Sequence, residues 1–571
     1  MVMYKGCFRA FSLFLWLELI GFDNTLPDFG VDRYLSRMER KPDAISLLMD
    51  NDRLFRSYEG VKENFALPQD CCSYLGRPYN SERRRQDWTS DQLKGLVAAL
   101  KDRGIEVYAS FFNRSDALPT DDANMKNIAS HLGRFLADFG FSGLHGSDGY
   151  APPKYLLPEC TDENRVPVAR AAAKRYAANM KAIVDELKPR GLKTWLNTCW
   201  TRDPFEAMYR YGVDYRLLAK TGIDGFIVES SAAAQNLEGW NYQKSSPTDR
   251  STAMLLRLKA SAPNVPCVLL HGINDGTEQW SALRHSPSAT RSEALALGTT
   301  FYNGRRTLEG FLACLADGIR AEEWKELDKA WTMSFMDVKE PVGINVVWSD
   351  RAFDKEFETC VRTHDANSNT LLSELIHHGL IIHSCVSVDY AVAHPELPVL
   401  ILNPDFFPPE ELEALNRRIA KVYLFGRGAK EPFNTPYVER ADKSPFPGMP
   451  GNSTCYWKKP ISENMPSEKT TRGAAMVINW MTCPYETTAT DVSTWAFRLP
   501  NGRLGIFARN NTDTYQGVQF MMHNCVSDVQ VHTEFPSLPV KTVLDSRVAP
   551  RDTIFFSVGE REYPLPDAGK R

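Results

Sequence analysis

Residues 89–112 read TSDQLKGLVAALKDRGIEVYASFF, an amphipathic helix followed at once by a buried strand. Thr89 and Gln92 have the spacing of a capping box, in which each side chain satisfies a backbone N–H at the start of a helix. Leu93, Leu96, Val97 and Leu100 fall at i, i+3, i+4 and i+7, on one helical face. Gly104 supplies the stop, since a residue without Cβ enters the left-handed region at little cost. Residues 105–112 are then a continuous β-prone run, as expected of a strand covered on both faces.

The same grammar recurs along the first 335 residues. Tyr176, Met180, Ile183, Val184 and Leu187 share a face, Pro189 and Gly191 end the helix, and LKTWLNTCW (192–200) follows as a strand. Eight strands are expected, beginning near Phe11, Ala44, Ile105, Phe141, Leu192, Ile223, Pro266 and Thr307. Eight β/α units predict a (β/α)8 TIM barrel over 1–335. The alternative is an open doubly wound sheet, against which stands the lack of a glycine-rich phosphate loop after any strand. Beyond it, strands at 343–350, 380–388, 397–407 and 422–428, with helices between them, predict a flavodoxin-like α/β domain over 336–430. Residues 431–490 show no periodicity and read as an irregular linker. Over 491–571, STWAFRLP, Asn501-Gly502 and RLGIFARNN read as a hairpin with a type I′ turn, and strands near 517–522, 529–533 and 553–558 complete an antiparallel β-sandwich.

Composition narrows the function classes. The chain has 571 residues, 43% hydrophobic and 24% charged, which fits a multidomain globular protein. Lys plus Arg is 67 against 71 Asp plus Glu, so no basic surface points to nucleic acid or to an anionic membrane. The 12 cysteines include no CxxC pair. Apart from the adjacent Cys71 and Cys72 they are scattered singly, which suits a reducing compartment, and the expectation is a cytoplasmic protein. FRAFSLFLWLELIG (8–21) mimics a signal peptide, but Glu18 interrupts it and no small-residue cleavage site follows, so it reads as the first barrel strand. No run approaches the ~18 apolar residues of a membrane helix.

In a (β/α)8 barrel the chemistry sits at the C-terminal ends of the strands. The third ends at Asn113. The fourth, GFSGLHGSDGY, puts His145 and Asp148 at the mouth. The fifth puts Asn197 and Trp200 there, the sixth (GFIVESS) Glu229, and the seventh His271, Asp275, Glu278 and Trp280. Histidines, cysteines and carboxylates show no metal-ligand spacing, and no lysine sits centrally on a strand for Schiff-base chemistry. Neither a metal nor a cofactor is expected. Carboxylates with stacking aromatics are the equipment of glycoside cleavage, where one carboxyl protonates the leaving oxygen and the other attacks the anomeric carbon or activates water. Asp148 and Glu229 are the expected pair, Asp148 as nucleophile or base and Glu229 as general acid. Asn113, His145, Asn197, Trp200, His271, Asp275, Glu278 and Trp280 are the expected carbohydrate contacts. Other readings are an inactive carbohydrate-binding relative and a barrel lyase or isomerase.

GFSGLHGSDGY resembles the fourth-strand motif of retaining glycoside hydrolases with an aspartate nucleophile, such as the family 66 enzymes and the α-galactosidase/α-glucosidase clan. By that resemblance Glu229 takes the place of their acid/base. The domain order, a barrel, a flavodoxin-like domain and a small β domain, resembles the family 42 β-galactosidases and implies a homotrimer built through the middle domain. The motifs depart from family 42: Ser147-Asp148 stands where that family has Asn-Glu, and on the seventh strand only Glu278, several residues beyond the strand end, could serve as its glutamate nucleophile.

Overall fold

The computed structural model describes residues 8–22, 30–56, 58–60, 63–68, 88–112, 121–147, 161–198, 203–229, 247–271, 287–314, 316–429, 437–439, 464–488, 491–533, 537–540 and 543–561. Eight parallel strands close into a barrel: Ser12–Glu18, Ala44–Asn51, Glu106–Phe112, Gly143–Gly146, Lys193–Asn197, Gly225–Val228, Cys267–His271 and Gly310–Ala313. Each pairs with its sequence neighbours, and the first closes on the last through Ser12 opposite Gly310. The eight expected starts lie within three residues of these.

The first strand shows why the stretch that mimics a signal peptide is a barrel strand. Leu13, Leu15 and Leu17 join the large core between strands and helices. Phe14 and Trp16 join a second cluster with Ala44, Leu48, Tyr108, Trp195, Ile227, Val268, Leu270, Leu312 and Cys314, which fills the lumen. Alternation along a strand sends successive side chains to opposite faces, and both faces are apolar here because both are covered. Trp195 lies across the lumen with its ring beside Phe14, 4.9 Å between centroids. A Cβ on Gly225 of the sixth strand would come within 2.1 Å of that ring, so the glycine makes room for the tryptophan.

The helix Ser90–Lys101 begins as its sequence dictates. Thr89 Oγ1 accepts from the Gln92 N–H, and Gln92 Oε1 accepts from the Thr89 N–H. Leu93, Leu96, Val97 and Leu100 are all buried, and Gly104 has φ +71°.

A second sheet carries parallel strands in the order Val422–Phe425, Val399–Leu402, Asn345–Trp348, Ser384–Ser387 and Phe301–Tyr302, with Arg305–Arg306 antiparallel at the edge. The expected flavodoxin-like strands are present, yet the sheet also recruits Phe301–Tyr302 from within the segment assigned to the barrel. Glu340–Val342 pairs in turn with Val492–Arg498 of the C-terminal sheets. A cut at residue 335 therefore crosses hydrogen-bonded neighbours, which composition along the chain does not reveal. The C-terminal part is two antiparallel sheets of five and four strands.

Two local expectations are corrected. Residues 431–490, read as irregular, contain the helix Glu468–Thr482, capped by Ser467. Its buried face is made of Thr471, Ala474, Ala475 and Ile478, so small side chains conceal the apolar stripe. The hairpin at Asn501-Gly502 forms, but only Gly502 has positive φ, 81°. A type I′ turn needs positive φ at both central residues. Pro500 fixes a negative φ, Gly502 N–H bonds the Leu499 carbonyl, and Leu499 N–H bonds the Arg503 carbonyl, which is a type I turn closed by a glycine bulge.

Among the described residues no helix is long and apolar enough to cross a membrane. The described cysteines are free, and all but Cys525 are buried.

Candidate active site at the barrel mouth

Above the apolar floor made by Trp195, Tyr108 and Ile227, the lumen turns polar. Ser46, Ser110, His145, Asn197 and Glu229 follow the lumen-facing positions of the second to sixth strands by alternation. Four of them form one hydrogen-bonded chain. Ser46 Oγ lies 2.7 Å from His145 Nδ1, His145 Nε2 lies 2.7 Å from Asn197 Oδ1, and Asn197 Nδ2 donates to Glu229 Oε1 at 2.8 Å. Asn197 Nδ2 also donates to Ser147 Oγ at 3.3 Å, and the Glu229 backbone N–H donates to Thr198 Oγ1 at 3.1 Å.

The polarity of the chain follows from its amide. Asn197 presents its carbonyl oxygen to the histidine, so His145 Nε2 carries the proton and Nδ1 accepts from the Ser46 hydroxyl. Burial pushes the His145 imidazole down to about 4, opposed in part by the Asn197 contact, so the ring is neutral at pH 7. The Trp16 ring lies against it, 4.7 Å between centroids. Ser46, His145, Ser147, Asn197 and Thr198 are buried. Glu229 is the member of the chain that is partly exposed. Asn197 thus presents an N–H donor to the Glu229 carboxyl. Beside the chain, Ser110 stands opposite His145 in register, and its buried hydroxyl has no hydrogen-bond partner among the described residues.

Of the residues singled out in the sequence, the structure thus brings together His145, Asn197 and Glu229. It separates His271 from them. That side chain alternates to the outer face of the seventh strand, where Nδ1 accepts from Trp331 Nε1 at 2.8 Å and Nε2 lies 3.3 Å from a Glu293 carboxylate oxygen. His271 therefore ties the barrel to its helices, and the expectation that it touches substrate is corrected: the last residue of a strand faces the lumen or the helices according to register, and here it faces the helices. Asn113, Asp148, Trp200, Asp275, Glu278 and Trp280 lie outside the described residues. Asp203 caps the helix Pro204–Tyr211 through the Phe205 and Glu206 N–H groups.

Sequence reading missed Ser46 and Trp16. Both sit on the two N-terminal strands, where unbroken apolar runs hide which face each residue takes. Counting alternate positions from Ala44 would have placed Ser46 in the lumen. Among the described residues no group of three or more His, Cys, Asp and Glu is placed to hold a metal ion.

No family model matches the chain, and no curated protein matches it. Among solved structures, the β-galactosidase from the psychrophilic Marinomonas ef1 is similar over 95% of this chain and 99% of its own, with a TM-score of 0.53 and 9% identity. The apo exo-carrageenase GH42 from Bacteroides ovatus is similar over 97% of this chain and 80% of its own, with a TM-score of 0.45 and 10% identity. A putative α-galactosidase/melibiase from Bacteroides fragilis covers the same shares at a TM-score of 0.39 and 10% identity. At this identity the likeness to the Marinomonas enzyme is one of fold, and it runs through the barrel and the sheets that follow it.

Proposed function

We propose that this protein is a glycoside hydrolase acting on an oligosaccharide or glycan, with its reacting carboxyls at the mouth of the (β/α)8 barrel. The observation that carries this reading is Glu229. It is a partly exposed carboxylate at the C-terminal end of a barrel strand, held by Asn197, which is itself held by a buried neutral histidine. Rigid support of a reacting group through such a chain keeps it in productive geometry without reorganisation during the reaction. The fold shared with the Marinomonas β-galactosidase adds to this reading.

Asp148, one residue beyond Ser147, is our choice for the second carboxyl, on the fourth-strand resemblance. The Asn197 donor suits Glu229 in the ionised role, as nucleophile or base, and leaves the proton to its partner. This exchanges the roles expected from the sequence, which make Glu229 the general acid. A Glu229 nucleophile would attack the anomeric carbon as the C–O bond to the leaving group breaks. The acid would deliver a proton to that oxygen, and water would then release the sugar with retained configuration.

A panel of 4-nitrophenyl α- and β-glycosides, with oligosaccharides analysed in parallel, tests the function. The expected outcome is hydrolysis of one sugar and one anomer well above the others. A folded protein that binds sugars and turns over none would instead be a carbohydrate-binding relative. One that neither binds nor cleaves them would end the glycoside reading.

A further inference from the structure

The helix Glu468–Thr482 is apolar on two faces. Thr471, Ala474, Ala475 and Ile478 face inward, and the last three join the core of the second sheet. The opposite face carries Met476, Val477, Trp480 and Met481, exposed by 64, 44, 62 and 41%. Of the ten large hydrophobic side chains exposed among the described residues, these four lie within two turns of one helix, so the patch is not the ordinary scatter of surface leucines and valines.

We propose that a second copy of this chain covers it, the two helices packing antiparallel across a two-fold axis. The sequence along the stripe is self-complementary in that arrangement. With the axis between Met476 and Val477, each of these faces the other in the second copy, and Trp480 faces Gly473. Among the described residues nothing lies within 4 Å of a Cβ built on Gly473, so the surface they form there takes the indole of the second copy without collision. Large opposite small is the pattern by which helices interdigitate at close approach. Charge agrees as well. The helix has no basic residue in its last turn, where its carbonyl groups are partly negative. The antiparallel mate brings to that end its own Lys469 together with the Glu468–Arg472 ion pair, a net positive charge.

The contact has room to extend. The strand Tyr485–Thr487 follows the helix and pairs with Gln516–Met522, putting Met521, 40% exposed, opposite Glu486. The four helix side chains expose on the order of 400 Å², against ~800 Å² per partner in an interface of standard size. The pair therefore belongs to the weaker, concentration-dependent class. An isologous pair of this kind also differs from the trimer implied by the family 42 resemblance. It is independent of the proposed reaction.

Sedimentation of the full chain from about 1 to about 100 µM tests it. The expected result is a mass that rises from 64.5 kDa toward twice that value. Trp480→Glu should weaken the association at least about tenfold, as loss of a central aromatic anchor does. Gly473→Phe should do the same by occupying the place of the indole. It serves as the second variant if Trp480→Glu folds poorly, because the space around Gly473 is open among the described residues of one chain. Wild-type protein that stays at 64.5 kDa over the whole range overturns the proposal. So does a trimer, or an assembly that both folded variants leave intact.

Discussion

Glu229→Gln is expected to lower kcat/KM on the preferred glycoside by about three orders of magnitude or more, with a melting temperature close to that of the wild type. Gln keeps the shape of the side chain and can still meet Asn197 through its carbonyl oxygen, so the barrel should not notice the change. What it loses is the negative charge that attacks the anomeric carbon or activates water. The dependence on leaving group separates the two roles a carboxyl can take. An acid is needed less when the leaving group is good, so an acid variant is partly spared on 2,4-dinitrophenyl glycosides. With Glu229 as the ionised partner, Glu229→Gln should be impaired to a similar degree on good and poor leaving groups. Selective recovery on dinitrophenyl substrates would return Glu229 to the acid role read from the sequence. Activity near wild type on all of them would remove it from the mechanism.

The second large effect is acid lability. His145 and His383 are buried and held down to about 4 and about 3 from an ordinary value of 6.5, mainly by desolvation. His383 is bonded to the Thr299 carbonyl and stacked on Trp495, so it joins the barrel to the C-terminal sheets. The unfolded chain takes up protons on these rings below pH 6.5, whereas the folded chain does so only near 4 and 3. The unfolded state thus binds more protons in this window, and stability falls as pH falls. Asp203 acts with the opposite sign. Burial, with Glu206 nearby, raises it from 3.8 to about 7, so the folded state holds the extra proton and acidification from 7 toward 4 favours folding. At 1.36 kcal/mol per pKa unit each histidine is worth roughly 3–5 kcal/mol over its full range, and Asp203 about 4 kcal/mol in return. Two histidines outweigh one aspartate. From these three groups a net loss of roughly 2–3 kcal/mol is expected between pH 6.5 and 4, read from urea unfolding at a series of pH values. His383→Gln should flatten that profile, and a wild-type profile already flat over this range would contradict the burial of neutral histidines.

The barrel was legible in the sequence because its signals are local. The capping box at Thr89, the face Leu93–Leu96–Val97–Leu100 and the run that follows are each read within a dozen residues, and the structure repeats them in place. Three other features are set by distant partners. Glu340–Val342 is a strand only because Val492–Arg498 lies beside it. The helix Glu468–Thr482 hides its buried side in Ala and Thr, and the large apolar residues that periodicity looks for are on its exposed side. The outward turn of His271 depends on a one-residue register that a strand buried on both faces does not display. At the site, His145, Asn197 and Glu229 could be named because each is polar at the end of an apolar run. The support of His145 by Ser46 and Trp16 could not, since it needs the second strand to lie between the first and third with Ser46 level with Trp16 and Tyr108.

The central claim is that Glu229 touches the bond being broken, and chemical rescue tests it most directly. Glu229→Ala leaves a space at the mouth of the lumen that a small anion such as azide can enter. With an activated aryl glycoside of the preferred sugar, added azide should restore turnover and yield a glycosyl azide. An anomeric configuration inverted relative to the substrate identifies Glu229 as the nucleophile. A retained configuration assigns it the acid/base role at the same bond. A folded Glu229→Ala protein whose activity is unreduced, or is lost and stays indifferent to azide, would contradict the claim.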